Sequence, residues 1–212
     1  MIINTNKHKL KSIGQYEIIK KLAVSGYSTV FLVQDNKDLN KQYALKVIKD
    51  SSEKFKIQNE INTYNQLLNH KNILGLKKAF KSSSKYYFLF EYTKDFDLKK
   101  QVEKKGIFKE KRVLNVLNDM ISVLKTTNKF GIIHSDIKPD NIMSKNGNYY
   151  LCDWGLSTSK KVNETLHIRS DESYTAPEVF NGRFDTRCDI YSLGCTIYYL
   201  CTGKKIYDIN TS

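Results

Sequence analysis

Apolar and polar positions alternate along the first part of the chain. YEIIKKLA (16–23), STVFLVQD (28–35) and KQYALKVIKD (41–50) carry short runs rich in β-branched and aromatic residues, which predicts strands. The polar stretch DNKDLNK (35–41) predicts a hairpin turn between the second and third. The period then changes. EKFKIQNEINTYNQLLNH (53–70) spaces Ile57, Ile61, Tyr64 and Leu68 three and four apart, which predicts a helix with those residues on one face. ILGLKKAF (73–80) and KYYFLFEY (85–92) return to strand character on either side of a serine run.

Beyond Tyr92 the helical period dominates. Residues 110–130 predict a long amphipathic helix through Val113, Leu114, Leu117, Ile121 and Leu124, closed by Gly131. GIIH (131–134) and YYLCD (149–153) read as short strands, and 189–202 as a second, mostly apolar helix. The pattern gives a strand-rich part followed by a helix-rich part, joined near 91–95, with no internal repeat.

Composition narrows the class. With 212 residues, 40% hydrophobic and 27% charged, the chain is globular. No apolar run is long enough to span a membrane, and the N-terminus lacks a signal core, so the default expectation is a cytoplasmic protein. The four cysteines have no CxxC spacing, which argues against zinc. Cys188, Cys195 and Cys201 fall in an apolar stretch and are expected to be buried. A net charge of +13 favours polyanionic partners. Only four of the 35 basic residues are arginine, so specific nucleic-acid recognition is not expected.

The candidate chemistry lies in loops. HSDIKPDN (134–141) puts two carboxylates, a lysine and an asparagine beside the apolar Ile132-Ile133. Asp153-Trp154-Gly155 follows shortly after, and Ala176-Pro177-Glu178 further on. Upstream, Tyr43-Ala44-Leu45-Lys46 places a lysine on a predicted strand. These four motifs, in this order, resemble those of the eukaryotic-type protein kinase family, serine/threonine class. The resemblance runs from about Tyr16 to Tyr207.

The resemblance implies an α+β, two-lobed fold with a strand-rich N-lobe and a helical C-lobe lacking the last helices. Its divisions are a basic tail (1–15), an N-lobe (16–92) and an incomplete C-lobe (93–212), together one kinase domain over 16–212. It also implies ATP and Mg²⁺ as cofactors and a protein substrate. Asp136 would take the acceptor proton and Lys138 face the transferring phosphoryl group. Asn141 and Asp153 would hold Mg²⁺. Lys46 would contact the α/β-phosphates and pair with Glu60. Leu22, Val30, Ala44, Leu98 and Met143 would enclose adenine, with Phe90 behind it. Glu91, Tyr92 and Thr93 would form the hinge, and Asp97 would reach the ribose. Leu76, Tyr64, Trp154 and His134 would stack on a base at Asp189, and Cys152 would face the nucleotide as an inert thiol.

The chain departs from the family in four places. Ala23, Ser25 and Ser28 stand where glycines are expected, which reduces backbone freedom near the phosphates. Ser135 replaces an arginine that gathers an activation-loop phosphate, so little dependence on such phosphorylation is expected. Asp171 and Glu172 replace a threonine-containing turn. The chain stops at Ser212, where the family continues. That end leaves Glu178 without its expected arginine and predicts a bare helix face at 189–203, for a continuation, a second copy or a partner to cover. The alternative to catalysis is a pseudokinase acting as a nucleotide- or protein-binding scaffold. Ala-Pro-Glu argues for a peptide substrate over a small molecule.

Overall fold

The computed structural model describes residues 12–48, 54–82, 84–159, 171–182 and 185–207. The described residues form two compact units, one within Met1–Glu53 and Leu76–Tyr92, the other within Lys54–Gly75 and Thr93–Ser212. The segment 54–75, which precedes the last two strands of the first unit, therefore groups with the second.

The first unit is an antiparallel sheet of β1 (Ser12–Ile13), β2 (Tyr16–Val24), β3 (Ser28–Asp35), β4 (Asp38–Ile48), β5 (Leu76–Ser82) and β6 (Lys85–Glu91), in the order β1-β2-β3-β4-β6-β5. β1 pairs with β2 across a turn at Gly14, so Ser12 and Ile13, which the sequence assigns to the tail, join the sheet. The rest of that tail lies outside the described residues. Pairing of Val30, Lys46 and Phe88, and of Leu32, Ala44 and Phe90, puts these six on one face of the sheet. Val33, Leu45, Val47, Tyr87 and Leu89 take the other face and pack with Tyr16 as a core cluster. The alternation read from the sequence is thus a true two-faced strand pattern.

In the second unit, α1 (Lys54–Gln66) buries Ile57, Glu60, Thr63 and Tyr64. It stops before Leu68, which is 57% exposed and does not belong to the buried face. The segment after it runs beside a later strand: Leu74 N donates to Leu151 O at 2.9 Å, and Leu151 N to Asn72 O at 2.9 Å. β5 therefore starts at Leu76, later than the predicted 73.

The helices that follow are α2 (Leu98–Lys105) and α3 (Glu110–Phe130), then β7 (Ile132–Ile133), β8 (Ile142–Lys145), β9 (Asn148–Leu151), β10 (Thr158–Ser159), α4 (Pro177–Phe180) and α5 (Arg187–Thr202). α3 ends as predicted at Gly131, whose φ of 66° supplies the left-handed cap. Its buried stripe differs from the predicted one. Val113, Val116, Met120, Val123 and Thr127 are buried, whereas Leu114 is 48% exposed and Ile121 is exposed too. The helix is apolar around much of its circumference, so packing against α5 and β9 selects the face, not the leucines. Each fully buried valine there contributes about 1.5–3 kcal/mol.

α5 buries most of one side, including Cys188, Cys195 and Leu200, while Ile190 and Cys201 are exposed. The predicted bare face is thus only a strip, and Cys201 is not the buried residue expected. Among the described residues, no helix is long and apolar enough to cross a membrane.

Candidate active site

The charged octet follows the buried β7 pair. His134 is fully buried and Ser135 takes a φ of 67°. A left-handed residue other than glycine costs about 1–2 kcal/mol. Asp189 of α5 offsets this by accepting His134 N at 2.7 Å and Ser135 N at 3.0 Å. The histidine side chain bridges two segments. Its Nδ1 accepts Asp136 N at 3.2 Å and its Nε2 meets Cys152 O at 3.1 Å, which fixes a neutral imidazole with the proton on Nε2. Burial pulls His134 down to about 4, in keeping with that form.

Asp136 gathers the polar residues of the loop. Lys138 Nζ donates to its Oδ1 at 2.8 Å, and Asn141 Nδ2 donates to its Oδ2 and to its backbone oxygen, both at 2.8 Å. Burial raises the Asp136 pKa, Lys138 and Asn141 oppose the rise, and Asp153 adds to it. The carboxylate is anchored yet more basic than a solvated aspartate, which suits a proton acceptor.

Asn141 spends its amide hydrogens on Asp136, which leaves its Oδ1 as an oxygen donor. Its backbone oxygen accepts Cys152 N at 3.0 Å and the Cys152 thiol at 3.2 Å. This draws the segment bearing Asp153 toward the octet. Asp153 itself holds a left-handed φ of 65°. Among the described residues, no group of three or more His, Cys, Asp or Glu gathers as a metal cage. Two oxygen donors on adjoining segments fit a hard cation that keeps water and phosphate in its shell.

Trp154 is fully buried, its ring edge-on to His134 with centroids 4.5 Å apart. Beyond it, α1 is tied to the same turn. Asn59 Nδ2 donates to Ser157 O at 2.8 Å, and Thr63 Oγ1 lies 3.2 Å from Ser157 Oγ. Ser157 Oγ donates to Trp154 O at 2.7 Å, so Thr63 is the donor in its pair. The Ser157→Ala variant strands the buried Thr63 hydroxyl and is expected to cost about 1–2 kcal/mol, read from urea unfolding, with faster amide exchange in α1.

In the first unit, Lys46 is buried on β4 with its Nζ 5.9 Å from the Phe88 ring centroid. Val30 and Ala44 share its face. Leu22 sits at an irregularity in the β2–β3 pairing, between Lys21 and Ala23. Glu91 closes β6. The β2–β3 turn, whose one glycine is Gly26, is held by its serines: Ser25 N donates to Ser28 O at 2.9 Å, and Ser28 N to Ser25 Oγ at 3.0 Å.

The remaining predicted residues lie in the second unit. Thr93 is buried, with its hydroxyl directed at Asp95 O and Ser144 O. Asp97 caps α2, accepting Lys100 N at 2.8 Å and Lys100 Nζ at 2.7 Å, and bridges to Met143. Leu98 is fully buried. Glu60 is buried on α1; Lys46 belongs to the other unit. Glu178 lies 3.8 Å from the Cys188 sulfur, a contact the sequence did not foreshadow. Nor did it foreshadow Arg112, which donates to Gln101 and Tyr149 and stacks on Phe108, joining α2, α3 and β9. The only cue was that arginine is scarce here.

The described site thus gathers a carboxylate held by a lysine and an asparagine, and a second aspartate at a left-handed turn. A strand-rich unit with a buried lysine accompanies it. The sequence model of the protein kinase domain matches residues 16–212, and the chain belongs to that family, of the eukaryotic type. It is similar to myosin light chain kinase A of Dictyostelium discoideum, with 31% identity over 89% of this chain and 66% of the relative. It is also similar to the serine/threonine-protein kinase PrkC of Bacillus subtilis, with 27% identity over 92% of this chain and 31% of the relative. The chain thus spans between about a third and two thirds of these relatives' lengths.

Proposed function

We propose that this chain is a serine/threonine protein kinase domain that moves the γ-phosphate of ATP to a protein hydroxyl. The arrangement of Asp136, Lys138 and Asn141 carries this reading. The names of the relatives support the serine/threonine class.

In this reading Asp136 orients the acceptor hydroxyl and takes its proton as the oxygen attacks the γ-phosphorus. The bond to the bridging oxygen breaks and ADP departs. Lys138 lies beside Asp136 and balances charge on the moving phosphoryl group. Mg²⁺ held by Asn141 and Asp153 would neutralise phosphate charge. Lys46 contacts phosphate, and Leu22, Val30, Ala44 and Glu91 on the first unit contact nucleotide. Thr93, Asp97 and Met143 do so on the second. Asp97 and Thr93 already serve as cap and strut, so their polar atoms arrive oriented.

The serine-tied β2–β3 turn favours a second reading, a scaffold that binds nucleotide or protein without transfer. Its hydroxyls satisfy their own loop and offer less to phosphate. Incubation with labelled ATP, Mg²⁺ and a mixed histone acceptor separates the two. Label on serine or threonine supports the kinase. ATP binding without any label, on acceptor or chain, supports the scaffold.

A further inference from the structure

Asp171 begins the short turn before Ala176-Pro177-Glu178, and it is bound from several sides. Its Oδ1 accepts Ser173 N at 3.1 Å, and its backbone oxygen accepts Tyr174 N at 2.9 Å and Thr175 Oγ1 at 3.2 Å. Its Oδ2 takes Lys205 Nζ at 2.8 Å. Lys205 follows Gly203, the left-handed cap of α5, and its ammonium also lies 5.9 Å from the Tyr174 ring centroid. On α5 itself, Ser192 Oγ donates to Tyr174 O at 2.7 Å.

One helix therefore holds two segments. Through Asp189 it fixes the amides of His134 and Ser135, two residues before Asp136. Through Ser192, and Lys205 just past its end, it fixes the 171–175 turn. Both segments are thus tied to the same helix, and burial chiefly, then the charges of Asp171 and Asp140, push the Tyr174 phenol up. The Asp171–Lys205 pair is one third exposed on each side. Such a pair adds little to global stability. Its consequence is local, because it ties the start of this turn to a residue just past the end of α5.

We propose that Asp171 and Lys205 are positioning residues for the acceptor peptide, an ion-pair clamp that holds the 171–175 turn beside the Asp136 loop without a phosphate. This rests on the kinase reading. The clamp takes the place of the regulated anchoring that Ser135 cannot provide.

The test compares Asp171→Asn, Lys205→Met and the exchanged pair Asp171→Lys/Lys205→Asp, using a mixed histone acceptor. Each single change is expected to raise the acceptor KM about three- to tenfold, with kcat and the ATP KM unchanged. The exchanged pair restores the ion pair but not the acceptor for Ser173 N, so it is expected to recover part of the loss, and salt to weaken the wild-type advantage. Amide exchange at Tyr174 and Thr175 should quicken in the single variants only, whereas Ser173, which loses its acceptor, should quicken in the exchanged pair as well. Unchanged acceptor KM in both single variants, or no recovery in the exchanged pair, overturns the clamp. If the wild type transfers no phosphate, the kinase reading fails by itself. The amide exchange then decides the clamp: quickened exchange in the single variants supports it and unchanged exchange overturns it.

Discussion

Replacing Asp136 with asparagine is expected to lower phosphate transfer roughly a hundred- to ten-thousand-fold, the range for losing a positioned general base. The fold should survive. The asparagine carbonyl oxygen still accepts Asn141 Nδ2, and the backbone bond from Asn141 to residue 136 is untouched. Only the charge partner of Lys138 is lost. ATP affinity is therefore expected to change little, and kcat to carry the loss. Nucleotide binding by calorimetry and turnover with labelled ATP measure the two separately. Full turnover in Asp136→Asn would remove the base from the proposal. A parallel collapse of binding and unfolding midpoint would assign Asp136 to structure instead.

Much of this site was legible because its parts are local. HSDIKPDN brings Asp136, Lys138 and Asn141 within six residues, so one tight loop can make all three bonds. The alternation in β3 and β4 likewise places Lys46, Val30 and Ala44 on one face of the sheet. What stayed hidden depends on pairings distant in sequence. Ser157 meets Asn59 and Thr63 across nearly a hundred residues, and Lys205 meets Asp171 across 34. Neither contact leaves a periodicity to read.

Two elements were missed although signals existed. α2 reads LKKQVEKK, with too few apolar residues to show a period, yet Asp97 at its start is a good N-cap. β8 and β9 are joined by Asn146-Gly147, both at positive φ, a strong hairpin signal. It is overshadowed when 142–145 is taken as the tail of a charged loop. The stripe on α3 differs for another reason: Leu114 and Ile121 fit the helical period as Val116 and Val123 do, and packing against α5 and β9 decides which of them is buried.

The largest effect on stability is expected to depend on pH, through His134 and Asp189. Burial pushes the Asp189 carboxyl up to about 6, with the His134 and Ser135 amides opposing. Burial pulls His134 down to about 4, with Cys152 O and Asp153 opposing and Lys138 assisting. Between about pH 4 and 6 the folded chain keeps a proton on Asp189 that the unfolded chain has released. The aspartate contribution to stability therefore falls as pH rises. In the same window the unfolded chain holds a His134 proton that the folded chain lacks, so the histidine contribution rises. Each is on the order of 3 kcal/mol, and in the wild type they nearly cancel. Asp189→Asn removes the falling contribution and leaves one amide poorly accepted. Its deficit against wild type, about 1–3 kcal/mol at pH 4, should shrink as pH rises through 6. His134→Gln should behave in the opposite sense, its deficit growing over the same range. Urea unfolding of the three proteins from pH 4 to 7 measures both trends. Deficits that do not vary with pH in either variant would mean that neither group carries its proton as the burial implies, and the neutral imidazole bridging Asp136 and Cys152 would have to be given up.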